Sequence, residues 1–178
     1  MKNLLGKGNS KLNKTAKELG VRIFNFSIPA YKTSKGKLTC PFAKDCVKFC
    51  YAQKGAYAWS NTQQALENRY DATKEDNFVT RITNELNKTR RDGRQIYVRI
   101  HDSGDFYSKG YLQKWIQIAK QVKDVRFYAY TKSHAFIKGI ELPENLDIIM
   151  SLGSKQDAKD TENYRHAKIF NSKEELDR

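Results

Sequence analysis

The alternation of strand-like and helix-like segments constrains the fold of this 178-residue chain more than any other feature. Four short apolar or alternating segments are typical of strands: residues 21–27, 95–101, 125–131 and 146–151. Apolar residues at helical spacing separate them, at about 61–91, 109–122 and 134–138. Such alternation indicates parallel strands joined by right-handed crossovers. We predict an α/β fold, a partial (βα) barrel with about four parallel strands.

The chain has the organisation of one domain, residues 1–178. It contains no internal repeat, no low-complexity stretch and no linker rich in proline, glycine or serine. No segment is apolar for long enough to serve as a secretion signal or to span a bilayer. These features predict a cytoplasmic protein without a membrane partner.

Polar loops follow each predicted strand. His101–Phe106 comes after the second strand, Thr131–His134 after the third and Ser151–Ser154 after the fourth. In parallel α/β folds, ligands bind beyond the carboxyl ends of the strands. We therefore expect these loops and the segment after the first strand to surround one cavity.

The three cysteines of the chain, Cys40, Cys46 and Cys50, fall within eleven residues after the first strand. An odd number of neighbouring cysteines cannot all form internal disulfides, and a cytosolic setting keeps thiols reduced. Thiolates at this spacing suit zinc or an iron–sulfur cluster, but zinc sites usually show paired cysteine hooks. The pattern predicts a [4Fe–4S] cluster bound through three irons, which leaves the fourth iron without a cysteine.

The motif Cys-Pro-x4-Cys-x3-Cys-Tyr-Ala that starts at Cys40 resembles the phage gene product 88 family, as do the runs Val98–Phe106 and Val125–Thr131. That family is similar in turn to radical S-adenosylmethionine (SAM) enzymes, whose cysteine loop after strand one holds a [4Fe–4S] cluster. The resemblance implies a location in the infected host cell. It also implies a cofactor-binding role for Ser103, Gly104 and Asp105, which occupy the place of the motif that binds the amino group of SAM.

An iron without a cysteine ligand is a Lewis acid, so the first hypothesis is non-redox hydrolysis of a small ester-like substrate, or hydration. His101, Asp105 and His134 are the candidate catalytic acids and bases, because they lie in loops expected around the cluster. The same residues could instead pack or cap local structure. Any of the three, or His166, could alternatively supply the fourth cluster ligand.

Two other functions stay open at this point. The first is a radical SAM enzyme that cleaves SAM reductively, although the cysteine spacing differs from the usual Cys-x3-Cys-x2-Cys loop and favours the non-redox hypothesis. The second is a non-catalytic cluster-bearing protein that binds nucleic acid or a host protein, which the net charge of +13 supports.

Overall fold

Five parallel strands form one sheet, arranged in chain order, in a computed structural model that describes residues 3–157, 161, 163–170 and 173–177. The strands are β1 (Arg22–Phe26), β2 (Ile96–Ile100), β3 (Val125–Thr131), β4 (Leu146–Ser151) and β5 (His166–Ala167). The predicted parallel α/β sheet is confirmed. The count of about four strands is corrected to five, because β5 is too short to carry a strand pattern. In the described residues β1 and β5 do not pair with each other, so the sheet is open.

The helices of the described residues are α1 (Ser10–Glu18), α2 (Cys46–Phe49), α3 (Ser60–Ala72), α4 (Phe78–Thr89), α5 (Lys109–Gln121) and α6 (Lys173–Leu176). The predicted helix at 109–122 is confirmed as α5, which begins at Ser108, whose side chain caps the backbone N–H of Tyr111. Around His134 the chain forms a single 3-10 turn, His134–Phe136.

The prediction of one helical region over residues 61–91 is wrong, because α3 and α4 are separate helices. Thr73 ends α3, where its backbone N–H and its hydroxyl both donate to the carbonyl of Tyr70. The Lys114 ammonium of α5 donates to the carbonyls of Thr73 and Glu75 at 2.7 and 3.0 Å. These contacts satisfy carbonyls that a continuous helix would have paired internally.

The core lies between one face of the sheet and the helices α4 and α5. Phe26 of β1, Phe78 of α4 and Trp115 of α5 are buried and meet edge to face, with ring centroids 5.2 to 5.7 Å apart. Because the strands follow chain order, right-handed crossovers keep their helices on the same side. The opposite face carries half-exposed polar and aromatic side chains, among them Tyr97 and Arg99.

The helices of the described residues are all too short or too polar to cross a lipid bilayer.

Candidate functional site

A cavity of about 350 Å³ lies at the carboxyl edge of the sheet. The segments that follow β1, β2 and β3 line it, together with the end of β4 and residues just after β5. All three cysteines are in its wall. A larger cavity of about 660 Å³ between the N-terminal segment and α3 contains no cysteine or histidine in its lining, so the chemistry is assigned to the smaller one.

The loop that precedes the cysteines is folded back on itself after Pro29. The carbonyl of Tyr31 accepts hydrogen bonds from the backbone N–H groups of Thr39 and Cys40 at 2.8 and 3.2 Å. The Thr39 hydroxyl donates to the carbonyl of Pro29 at 2.7 Å. Tyr31 itself takes a left-handed backbone conformation with φ of 64°, which a bulky residue adopts only when its surroundings enforce it. The start of the cysteine segment is therefore fixed by backbone contacts.

The three thiols are free and each is partly shielded from solvent. The Cys40 thiol accepts the backbone N–H of Tyr31 at 3.3 Å. Burial raises the pKa of Cys40 to about 12, and the nearby Asp105 carboxylate adds to the rise. Burial likewise raises the pKa of Cys50. A raised pKa favours the neutral thiol at pH 7 for both groups.

No three His, Cys, Asp or Glu side chains of the described residues are grouped so as to hold a metal ion. A single zinc ion needs its ligand atoms close together, since each lies only about 2–2.3 Å from the metal. A cubane cluster takes one thiolate on each of three different irons, so its cysteines do not converge on one point. The three free thiols in the wall of one cavity are the donor type that both zinc and iron–sulfur clusters use.

The loop after β2 is held tightly against the segment after β1. Gly104 has a φ of 81°, and a Cβ placed there would lie 2.2 Å from Cγ1 of Ile28. The Ser103 hydroxyl donates to the carbonyl of Ile28 at 2.9 Å, and the backbone N–H of Ile28 donates to the carbonyl of Ser103 at 3.1 Å. Only glycine allows this close approach at position 104.

Asp105 joins three of the loops around the cavity. Its carboxylate accepts the Thr131 hydroxyl at 2.5 Å, the backbone N–H of Phe106 at 2.7 Å and that of Lys132 at 2.9 Å. Its own N–H donates to the carbonyl of Thr39 at 3.1 Å. Burial raises its pKa to about 6, although these hydrogen bonds favour the charged form. The side chain lines the cavity, but its oxygens are already engaged by the protein.

His101 lines the cavity from a buried position and has a left-handed backbone with φ of 68°. Its Nε2 lies 2.9 Å from the Tyr111 hydroxyl, and its ring packs edge to face on Phe106. Nδ1 has no hydrogen-bond partner in the described part of the chain. Burial lowers the pKa of His101 to about 3, so the imidazole is neutral at pH 7.

The structure does not bring the other two histidines into the lining of the cavity. His134 is fully buried, with Nε2 3.0 Å from the carbonyl of Ser151 and Nδ1 3.6 Å from the Asp157 carboxylate. His166 is exposed on β5, where its Nδ1 lies 3.0 Å from the carbonyl of Tyr164. Both residues therefore contact backbone at the β4 end of the sheet.

Several polar residues of the cavity were missed by the sequence analysis. Arg99 and Asp102 form an ion pair with Nε and Oδ1 2.9 Å apart, without the alignment of a hydrogen bond. Asn25 donates to the other oxygen of Asp102 at 2.6 Å, and the Tyr51 hydroxyl donates to its carbonyl. The Lys132 ammonium bonds the Ser151 hydroxyl at 3.1 Å. The alternation of β2 could have revealed Arg99, since it faces away from the buried positions Ile96, Val98 and Ile100.

A protein-family model described as "Gene product 88" matches residues 3–178. The "Gene 88 protein" of Mycobacterium phage L5 is 28% identical over 103 residues, which make up 53% of this chain and 43% of that protein. The "Gene 88 protein" of Mycobacterium phage D29 is 26% identical over 103 residues, 53% of this chain and 42% of that protein. The chain thus spans less than half the length of these curated relatives. No solved structure matches the chain.

Proposed function

The chain belongs to the gene product 88 family, and on that premise we propose that it holds a [4Fe–4S] cluster on Cys40, Cys46 and Cys50. The observation that carries the proposal is that all three thiols are free and line one cavity at the carboxyl edge of a parallel sheet. No other cysteine is present in the chain. Three thiolates for four irons leave one iron open to the cavity.

A cluster held by Cys40, Cys46 and Cys50 would supply Lewis acidity toward water or a carbonyl oxygen, which would suit hydrolysis of a small ester-like substrate or hydration. Arg99 and Lys132 contribute cationic groups to the cavity wall, where they can bind a carbonyl or carboxylate oxygen of the substrate. Asp102 orients Arg99 through their ion pair. The mouth of the cavity is bordered by Tyr51 and Tyr130, which are 59% and 42% exposed and can contact an apolar part of the substrate.

We assign Asp105 to positioning in this proposal, because both of its carboxylate oxygens are occupied by the protein. His101 is assigned with it because the ring is buried and held through Nε2, while Nδ1 has no partner in the described part of the chain. Asp105 joins the loops after β1, β2 and β3. The neutral His101 supports the same loop through Tyr111 and Phe106. His134 as a catalytic residue stays a prediction, with a position outside the cavity lining.

The cluster is tested on protein purified and reconstituted without oxygen. We expect about four irons and four sulfides per chain and a brown colour, and a loss of bound iron and sulfide in Cys40→Ala, Cys46→Ala and Cys50→Ala. Ile169→Ala is the matched control, since Ile169 lines the same cavity, is 73% exposed and has no ligand atom. A colourless chain with one zinc, or cysteine variants that load as well as the control, would refute the cluster.

The catalytic step is tested separately on the loaded protein. We expect hydrolysis of short esters that disappears in Cys46→Ser and weakens in Arg99→Gln. Loaded protein with no turnover of esters or hydratable substrates would leave the cluster in place and remove the hydrolytic role.

Reductive cleavage of SAM is the second candidate, and the position of the Ser103–Asp105 loop supports it. Hydrogen bonds from Ile28 to Ser103 and from Asp105 to Thr39 hold this loop beside the start of the cysteine segment. The resemblance to radical SAM enzymes likewise implies that the SAM site lies next to the cluster. Incubation of the loaded protein with SAM and dithionite decides the question: release of 5′-deoxyadenosine and methionine supports this candidate, and intact SAM removes it.

A further inference from the structure

The open face of the sheet alternates tyrosines with arginines. Tyr97 and Arg99 of β2 share this face with Arg126 and Tyr128 of β3, and Tyr130 follows two residues on. In the register of the sheet Tyr97 is opposite Arg126, and Arg99 is opposite Tyr128. Tyr97 and Tyr128 therefore each have a guanidinium as neighbour on the adjacent strand, whereas Tyr130 is opposite Ile149 of β4.

A groove of about 540 Å³ runs over this face, between the end of α1 and β4. Tyr97, Tyr128 and Tyr130 line it together with Arg126 and Arg165. Tyr130 also lines the cysteine cavity, so this residue borders both the groove and the cavity. Tyr97 and Tyr128 are half-buried and Tyr130 is exposed, and Thr15 and Leu19 at the end of α1 border the same groove.

The charge of the groove is positive. Asp147 pairs with Arg165 at 2.8 Å, whereas Arg126 pairs with no carboxylate among the described residues and donates only to the carbonyl of Glu144. The whole chain carries a net charge of +13. An occupant of this face must complement cations and flat aromatic rings.

We infer that this tyrosine–arginine face binds single-stranded nucleic acid, with bases stacked on Tyr97, Tyr128 and Tyr130 and phosphates near Arg126. Single strands present unstacked bases to aromatic rings, and their backbone provides the anions that arginines attract. A duplex keeps its bases stacked on each other and cannot use the tyrosines in this way. DNA and RNA share this chemistry, so the two are compared in the experiment.

The inference does not depend on the cluster, because none of the three cysteines lines the groove. Protein with all three cysteines changed to serine is expected to bind as the original chain does. A chain that binds nucleic acid but no iron would refute only the cluster, and a chain that binds the cluster but no nucleic acid would refute only this inference.

Fluorescence anisotropy of labelled oligothymidine and oligouridine of about 16 nucleotides tests the inference on the full chain. We expect binding at about 50 mM salt that weakens with rising salt, and weaker binding of a duplex. Tyr97→Leu and Tyr128→Leu should each lower affinity about tenfold, and the Tyr128→Phe variant should keep it, because phenylalanine still stacks. The preferred oligonucleotide identifies the sugar that the face accepts.

Arg126→Gln should lower affinity and reduce the salt slope by about one charge. Lys88→Gln is the matched control, because Lys88 is exposed on α4 and its loss changes net charge equally. Circular dichroism checks that each variant is folded. The inference is overturned if neither oligonucleotide binds, if a duplex binds equally well, or if folded leucine variants retain full affinity.

Discussion

The helix-covered face of the sheet and its carboxyl edge are held together by different forces. Trp115 is completely buried and packs against Phe26, Phe78 and Phe127, so the helix layer is stabilised by apolar burial and ring contacts. At the carboxyl edge, the Asp105 carboxylate holds separate loops through hydrogen bonds. The stability of this fold and the geometry of its cavity are therefore encoded by different residues.

Loss of an aromatic ring should lower the free energy of unfolding far more on the helix-covered face than on the open face. Trp115→Ala should lower the free energy of unfolding by about 3–5 kcal/mol, since it leaves a cavity among three other rings. Tyr130→Ala, at a position 42% exposed on the open face, should cost less than about 1 kcal/mol. Urea denaturation of both variants measures the two losses, and equal losses would contradict the assignment of the core to the helix-covered face.

Two glycines with similar backbone conformations differ in how closely they are packed, and one of them, Gly104, lies at the carboxyl edge. Gly104→Ala should cost about 2–4 kcal/mol against about 1 kcal/mol for Gly36→Ala. Both residues have a left-handed backbone, with φ of 81° and 76°, but only a Cβ at Gly104 meets another residue, Ile28. The difference in urea midpoints therefore isolates the close contact between the two loops. Similar midpoints would show that the loops are not packed as tightly as described.

The last predicted effect is a pH dependence of the free energy of unfolding that originates at His101. Burial lowers its pKa from 6.5 to about 3 in the folded protein, so only the unfolded chain takes up a proton between these values. Stability from this group is complete above pH 6.5 and falls by up to about 1.4 kcal/mol per pH unit below it. His101→Asn lacks this titration and tolerates the left-handed backbone.

Urea denaturation of the original chain and His101→Asn between pH 7 and pH 5 measures this difference in slope. Parallel curves, or an imidazole NMR signal assigned to His101 that titrates near 6.5 in the folded chain, would show that His101 is not buried in a neutral form.

The parts of the fold with strong periodicity were predictable from sequence. Strands β3 and β4 were predicted with their observed bounds, and α5 differs by a single residue at its end. Helix α1 was missed because Leu12 is its one buried residue, so it has no apolar stripe. The break between α3 and α4 depends on Lys114, which comes from another helix.

The candidate site was predictable in location but not in detail. Cysteine clustering and the position of polar loops after the strands indicated which segments meet. The role of Asp102 was not accessible, because its partner Asn25 lies 77 positions away in sequence. The engagement of Asp105 with Thr131 and Lys132 is equally non-local. An aspartate in a loop after a strand suggests a catalytic acid or base. Only the tertiary contacts reveal that the carboxylate oxygens of Asp105 already accept hydrogen bonds from the protein.

Mössbauer spectroscopy of the chain loaded with isotopically enriched iron tests the central claim most directly, since it reports the ligands of each iron. We expect a [4Fe–4S] spectrum in which one iron differs from three thiolate-bound irons. A spectrum without a cluster, or one with four equivalent thiolate-bound irons, would contradict the claim that Cys40, Cys46 and Cys50 hold a cluster with one open corner.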